Sequence, residues 1–222
     1  MHQDHQFTSE ITLKNEKLET VNQTKLLGVI LSNDLKWHEN TKYIVKKANK
    51  KMRMLHKFSK FTKNKSHLMH IYKSQVRSSL EYCSTVWHSS LTQADCSDIE
   101  RVQKAAMRVI MGTRYQGYDE ALKFMKIDSL KERRVKMALS FAKKSLRQDS
   151  FSSLFPLNEN VYQMKTRNPD KYVIKNGNTD RMKRSAVPFL QRLLNEDIRK
   201  QRKDLRNLLQ VNNGVCFNAP IT

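Results

Sequence analysis

Two apolar stripes with helical spacing flank an aromatic-rich connection within residues 68–112. The stripes are Leu68, Ile71, Tyr72, Val76 and Leu80 before the connection, and Ile99, Val102, Ala106, Val109 and Ile110 after it. Steps of three and four residues place such side chains on one face, so each stripe predicts a half-buried helix. The connection itself contributes Tyr82, Val86 and Trp87. We expect the two helices to pack as an antiparallel hairpin, with these three side chains filling the join.

The apolar pattern before this hairpin has a shorter period. Three alternating or β-branched runs between residues 6 and 31 predict strands, with a turn at Asn15 and Glu16. The last run, KLLGVIL at 25–31, is nearly continuous and predicts one strand. A sheet this small is marginal alone, so we expect it to be the edge of a larger sheet.

Further helices are predicted on both sides of the hairpin. A helix over Trp37–Phe61 follows from its apolar positions, which are Ile44, Ala48, Met52, Leu55 and Phe58. A short helix is expected over Asp119–Met125. Ser129, with Glu132 three residues later, has the signature of a capping box and predicts the start of another helix at Leu130.

Periodicity fades after the last of these helices. The stretch 148–180 is rich in Asn and Ser and predicts an irregular linker with one possible strand, Lys171–Lys175. A charged helix is expected over Glu196–Leu209, and the last dozen residues are expected to be disordered. The predicted fold is mainly α, a helical bundle with a small N-terminal β element and an irregular C-terminal third.

The net charge of the chain limits the classes of partner that it is expected to bind. Lys and Arg number 42 against 21 Asp and Glu, giving a net charge of +21. Such a charge attracts polyanions, namely nucleic acid, an anionic membrane or an acidic protein. The sequence shows no apolar run of transmembrane length and no signal peptide, which favours an intracellular protein of the nucleus or cytoplasm over a membrane partner. Cys83, Cys96 and Cys216 are widely separated and are expected to be reduced thiols.

The predicted helix within 37–61 carries most of the candidate binding chemistry. Between Thr41 and Lys65 there are ten Lys or Arg residues and no Asp or Glu. Self-repulsion opposes such a helix unless a polyanion lies alongside, so we favour nucleic acid over a merely solvated face. The candidate phosphate-binding residues are Lys46, Lys47, Lys50, Lys51, Arg53 and Lys57 on this helix, with Arg77, Lys104 and Arg108 on the exterior of the hairpin.

Other residues that could carry chemistry favour structural roles. His67 and His70 are one helical turn apart, but two ligands do not make a zinc site. Trp37 and Trp87 could stack on bases, although core anchoring is the better interpretation. The pair Arg133–Arg134 could bind phosphate or be solvated charge. The sequence predicts no catalytic group, metal site, cofactor or small-molecule substrate.

Five blocks, in this order, are similar to the C-terminal part of reverse transcriptases of jockey-like non-LTR retrotransposons. The blocks are KLLGVILSNDLKW, a Lys-rich helix, IYKSQVRSSLEYCSTVWHSSL, IERVQKAAMRVIMG and SLKERRVKMALSFAKKSL. The resemblance covers residues from about 25 to about 146. It implies terminal palm-like strands over 1–36, a helical thumb-like bundle over 37–147, and an irregular linker with a basic segment over 148–222.

In that family a right-hand polymerase holds two metal ions with an adjacent pair of aspartates in its palm. This sequence contains no Asp-Asp pair, so the resemblance implies a chain that is not an enzyme. A polymerase thumb grips the template–primer duplex by its phosphates, which gives affinity without sequence specificity.

Three functional interpretations stay open. The first is a non-catalytic fragment of an RNA-directed DNA polymerase that binds RNA or an RNA–DNA duplex. The second is a helical protein-interaction module, whose partner could be a polymerase core in another chain. The third is a retroelement remnant without present function.

Overall fold

The protein is mainly helical, with a small N-terminal β region, as the sequence predicted. The computed structural model describes residues 11–162, 168–174 and 177–213, with side chains described as far as 204. The expectation for the last dozen residues therefore lies largely outside the described part of the chain.

The β region consists of two separate antiparallel hairpins. Their strands are β1 (Thr12–Leu13) with β2 (Glu16–Lys17), and β3 (Gln23–Leu26) with β4 (Val29–Ser32). The predicted turn at Asn15 and Glu16 is wrong by one position, because Glu16 pairs in β2 and the turn residues are Lys14 and Asn15.

The run KLLGVIL is not the single strand that was predicted. Leu27 and Gly28 have φ values of 47° and 86° and form the two-residue loop between β3 and β4. Primed two-residue turns require positive φ, and glycine adopts it without strain. A Cβ at Gly28 would lie 3.2 Å from the Tyr82 ring, so this glycine also permits a close approach to the helical body.

The helices occupy most of the described chain. They are α1 (His38–Phe61), α2 (Lys65–Ile71), α3 (Ser78–Glu81), α4 (Ser84–Trp87), α5 (Gln93–Met111), α6 (Tyr118–Met125), α7 (Leu130–Ser145), α8 (Asp149–Ser152), α9 (Asn158–Val161), α10 (Asp180–Arg184) and α11 (Ala186–Asn213). A π-helical segment, Tyr72–Arg77, joins α2 to α3 without a break. The predicted helices over Trp37–Phe61 and Asp119–Met125 are therefore confirmed to within one residue.

The main core lies between α1, α5 and the segment 65–81. The two predicted apolar stripes point into it: Leu68, Tyr72, Val76, Leu80, Ile99, Val102, Ala106 and Ile110 are buried. Tyr72 donates its hydroxyl hydrogen to Gln103, and Leu68 lines the same cleft as Ile110. The segment 65–81 therefore runs antiparallel to α5, as expected.

The join of this hairpin differs from the prediction. Trp87 is fully buried, but Tyr82 is 51% exposed and Val86 is 48% exposed. Cys83 has a left-handed backbone (φ 51°), which turns the chain between α3 and α4. The Tyr82 hydroxyl then reaches outward and donates to the Leu27 carbonyl at 2.9 Å, linking the second β-hairpin to the bundle.

Two adjacent arginines of α7 are held by contacts within the protein: Arg134 is fully buried, and the side chain of Arg133 is 32% exposed. Arg133 donates two hydrogen bonds to the Glu81 carboxylate, at 2.6 and 3.2 Å. Arg134 has no exposed surface; its guanidinium lies 5.9 Å from the Trp87 ring, and its Nε donates to His88 Nδ1 at 3.2 Å. Both side chains therefore attach α7 to the hairpin; Arg134 is inaccessible to phosphate, and the charge of Arg133 is paired with Glu81.

The C-terminal helix α11 begins at Ala186, earlier than the predicted Glu196. Its Leu190 and Leu194 form a second core with Ala138 and Ala142 of α7 and with Phe155. The predicted strand Lys171–Lys175 is wrong for its described residues, 171–174, where Tyr172 makes only an isolated antiparallel bridge with Leu157. Lys175 lies outside the described part of the chain.

The capping box predicted at the start of α7 is confirmed. Ser129 Oγ accepts from the Glu132 N–H at 3.2 Å, and the Glu132 carboxylate accepts from the Ser129 N–H at 3.1 Å. Because an N-cap hydroxyl satisfies a donor that the helix cannot, we expect Ser129→Ala to lower the free energy of unfolding by about 1 kcal/mol. Urea unfolding measures this, with the exposed Ser140→Ala as control; equal losses in both variants would contradict the capping role.

Candidate nucleic-acid interface

The face of α1 opposite the core carries a line of positive charge. Lys46, Lys50, Arg53 and Lys57 are all exposed and follow one another at steps of three or four residues. At 1.5 Å per residue this basic stripe is about 16 Å long. The buried residues of α1 are Ile44, Ala48, Met52 and Leu55 on its other side, together with Asn40 and Thr41 in its first turn. The same pattern that buries one face therefore exposes the stripe.

A groove of about 580 Å³ lies between α1 and α5 along this stripe. Its cationic lining is Lys42, Lys46, Lys50 and Arg53 from α1 and Arg101 from α5, and its apolar lining is Val45, Val102 and Ala105. The carboxylate in the lining, Asp98, lies 3.1 Å from Arg101 and is balanced by it. We call this feature the basic groove; its walls attract an anion and its apolar lining adds no competing negative charge.

The two helices of the basic groove run in the same direction and are fixed at both ends. His38 Nδ1 lies 2.9 Å from Asp95 Oδ1 near the start of α1 and α5, and Ser59 and Met111 border one cleft near their ends. Asp95 is 2% exposed and also accepts from the Thr92 hydroxyl at 2.6 Å. Burial opposes ionisation of Asp95, but the hydrogen bonds from Thr92 and His38 outweigh it and lower its pKa.

The cations of the basic stripe are not engaged in ion pairs with described residues, since Asp98 in the same groove pairs with Arg101. Within the part of the chain that the structure describes, no ion pair involves Lys46, Lys50 or Arg53. Like charges one turn apart on a helix repel one another. An external anion in the basic groove would remove that repulsion.

The remaining candidates on α1 face differently. Lys47 is exposed but lies to the side of the basic stripe. Lys51 Nζ donates to Ser79 Oγ at 2.8 Å, which ties α1 to α3. The structure therefore gives Lys51 a packing role and leaves Lys47 as a peripheral charge.

Arg77, also a sequence candidate, lies in an interior ion cluster and not at the basic groove. Its side chain is 14% exposed and lies 3.7 Å from Glu81, which also binds Arg133. Burial, and then the neighbouring Arg133, lower the pKa of Arg77. The contact between Glu81 and Arg133 holds α3 to α7.

The α5 candidates, Lys104 and Arg108, do not line the basic groove, and Lys104 lines a separate cleft with Glu100 and Tyr118. Lys104 Nζ lies 5.2 Å from the centroid of the Tyr118 ring, and the Arg108 guanidinium lies 5.6 Å from that of Tyr115. Arg101, which sequence reasoning left out of the binding set, is closer to the stripe than either. Its position off the apolar stripe of α5 was the available signal, but the sequence did not show which face of α5 meets α1.

The tryptophans and the histidine pair take structural or surface positions. Trp87 is fully buried and donates Nε1–H to the Tyr82 carbonyl at 3.0 Å, and Trp37 packs against the main core. His67 and His70 are exposed on α2. Among residues that the structure describes, no group of three His, Cys, Asp or Glu is placed to hold a metal ion. Cys83 and Cys96 are free thiols, and Cys216 lies outside the described residues.

No helix within the described ranges combines the length and the apolar character needed to cross a membrane. Comparison with protein-family models, with curated proteins and with solved structures finds no match for this chain. The resemblance to reverse transcriptases accordingly rests on the sequence blocks alone.

Proposed function

We propose that this chain binds nucleic acid in the basic groove, holding phosphates without reading sequence. The carrying observation is the stripe of exposed cations on α1 that have no carboxylate partner among the described residues and face Arg101 across the groove. Bound phosphates would neutralise these cations and so remove the repulsion between them. The nucleic acid would at the same time lose condensed counterions to solution, and this counterion release supplies the affinity.

The chemistry of the basic groove favours backbone contacts over base contacts. Five lysine and arginine side chains line its walls, and its uncharged polar side chains, Thr41 and Asn49, are too few to read a run of base edges. Base readout needs polar groups arranged against those edges, whereas phosphate contacts fix position only. The expected ligand is RNA or an RNA–DNA duplex of any sequence.

The resemblance to reverse-transcriptase thumbs gives this binding a biological setting. A thumb is a helical bundle that presents basic side chains to a template–primer duplex. Here α5 and the segment 65–81 hold α1 at a fixed angle, which supports such a role. Because the sequence has no adjacent pair of aspartates, the proposal covers binding and does not extend to nucleotidyl transfer.

The affinity for an RNA–DNA duplex should fall steeply with salt. If the four stripe residues and Arg101 each meet one phosphate, the slope of log affinity against log salt is about −4, and affinity drops about two orders of magnitude between 50 and 200 mM salt. Fluorescence anisotropy with two duplexes of unrelated sequence measures both the slope and the lack of specificity. An affinity that does not change with salt would contradict the proposal.

A second candidate function, docking onto another protein, is favoured by the β-hairpins. Their exposed apolar residues are Ile11, Leu13, Leu18, Val21, Leu26 and Leu27. Leu27, at the tip of the second hairpin, is 83% exposed. Association with a separate polymerase core that depended on Leu27, and not on the basic stripe, would favour this candidate.

A further inference from the structure

The basic stripe ends at a second cleft that the proposed contacts do not use. This cleft, about 740 Å³ in volume, lies between the end of α1, the start of α2 and residues 112–114. Its polar side chains include three cations and four hydroxyls: Lys63, Lys65, Arg114, Ser59, Thr62, Ser66 and Thr113. The lining contains no carboxylate. We call it the terminal cleft, and its chemistry suits an anion bound by cations and hydroxyl donors.

One cation of the terminal cleft has an unmet hydrogen-bonding requirement. The Lys65 ammonium is buried, has no hydrogen-bond partner among the described residues, and lies 4.8 Å from the centroid of the Phe124 ring. An ammonium group has three donors, and the face of a phenyl ring attracts the charge without accepting conventional hydrogen bonds. The ammonium faces Phe124, which does not line the cleft, so Lys65 adds positive charge to the field of the terminal cleft without presenting a donor at its surface.

An exposed aromatic side chain stands between the basic stripe and the terminal cleft. Phe61 is the last residue of α1, lies one helical turn beyond Lys57 and directly precedes the cleft residue Thr62. It is 88% exposed, so its ring contributes little to the core. An exposed ring beside a row of cations is the arrangement that single-strand binding proteins use to stack a base.

We propose that this end of the interface binds an unpaired nucleotide, with its phosphate in the terminal cleft and its base stacked on Phe61. The inference rests on the proposed function, because the strand reaches the terminal cleft along the basic stripe. Lys63 and Arg114 would contact the phosphate, and the buried charge of Lys65 would add to their field. Stacking is tolerant of sequence because every base has a π-face, so the lack of base specificity is retained.

The test compares a blunt RNA–DNA duplex with the same duplex carrying a single-stranded extension. The wild-type chain should bind the extended duplex about tenfold more tightly or better, because each stacked base adds affinity of this order. Phe61→Ala should remove that gain and leave the affinity for the blunt duplex unchanged. Phe141→Ala is the matched control, since Phe141 is 42% exposed on α7, away from the terminal cleft.

A spectroscopic measurement separates stacking from a change in folding. Phe61→Trp should keep the gain, and the emission of the new tryptophan should be quenched by the extended duplex and not by the blunt one. Equal binding of both duplexes by the wild-type chain, or a gain that survives Phe61→Ala, overturns this inference while the groove proposal stands. Loss of salt-dependent binding to the blunt duplex itself would instead overturn the proposed function.

Discussion

Replacing three residues of the basic stripe with glutamine should weaken binding to an RNA–DNA duplex by two to three orders of magnitude at 0.1 M salt. The variant is Lys46→Gln, Lys50→Gln and Arg53→Gln together. Each phosphate contact releases nearly one counterion, so each is worth about a factor of eight between 1 M and 0.1 M salt. Three lost contacts should also reduce the salt slope by about three.

The structure offers a matched control for this change. Lys123, Lys144 and Lys200 are exposed on α6, α7 and α11, outside the basic groove and the terminal cleft. Converting these three to glutamine removes the same net charge, and glutamine has a helix propensity close to that of lysine. Anisotropy titrations at several salt concentrations should show a slope near that of the wild type for this control.

The outcome also decides between the two candidate functions. If both triple variants weaken binding equally, the interaction is with net charge and the basic groove has no special role. If the groove variant binds duplex as well as the wild type but loses association with a polymerase core, the chain is a protein-interaction module.

The helices α1 and α7 were predictable because each carries its own evidence in the sequence. Ile44, Ala48 and Leu55 recur with the helical period, and Ser129 with Glu132 marks a helix start by local hydrogen bonding. Such signals depend on residues within one or two turns. That is why α1 and α7 appear within a residue of their predicted positions.

Features that depend on distant residues were missed. KLLGVIL matches a strand in its composition, but a two-residue turn at Leu27 and Gly28 divides it. Arg134 is a charged residue, so a pattern of apolar positions predicts that it is exposed. In the structure Trp87 and His88 form a buried site around it.

The candidate site was predictable in part for the same physical reason. The exposed face of α1 follows from its buried face, so the sequence places Lys46, Lys50 and Arg53 together. The opposite wall of the basic groove could not be predicted in this way, because the position of Arg101 depends on how α5 packs against α1. The terminal cleft could not be predicted from the sequence either, because α1, α2 and residues 112–114 are brought together only by folding.

Acidification should destabilise the protein through His88. This imidazole is 9% exposed, and its Nδ1 accepts a hydrogen bond from Arg134 Nε at 3.2 Å. Burial, then the charges of Arg134 and Lys131, lower the pKa of His88 from 6.5 to about 4. Protonation would place an N–H on Nδ1 directly against the N–H of Arg134.

The lowered pKa sets the direction of the effect. Between pH 6.5 and 4 the unfolded chain holds a proton on His88 and the folded chain does not, so stability falls as the pH falls. A shift of the pKa from 6.5 to about 4 corresponds to about 3 kcal/mol of unfolding free energy. This free energy is lost as the pH falls from 6.5 to 4, and the contribution of His88 does not change further below pH 4. The stabilisation is fully present above pH 6.5.

Urea unfolding at pH 7, 5.5 and 4 tests this with His88→Gln. A glutamine oxygen can still accept from Arg134 but does not titrate, so the variant should lose about 3 kcal/mol less than the wild type between pH 7 and pH 4. Carboxyl groups such as Asp95 contribute to the acid limb of both proteins and cancel in the comparison. His67→Gln, at an exposed position on α2, should lose as much as the wild type. An acid limb that is the same in all three proteins would show that His88 is protonated in the folded chain without penalty, and that Arg134 tolerates a second cation beside it.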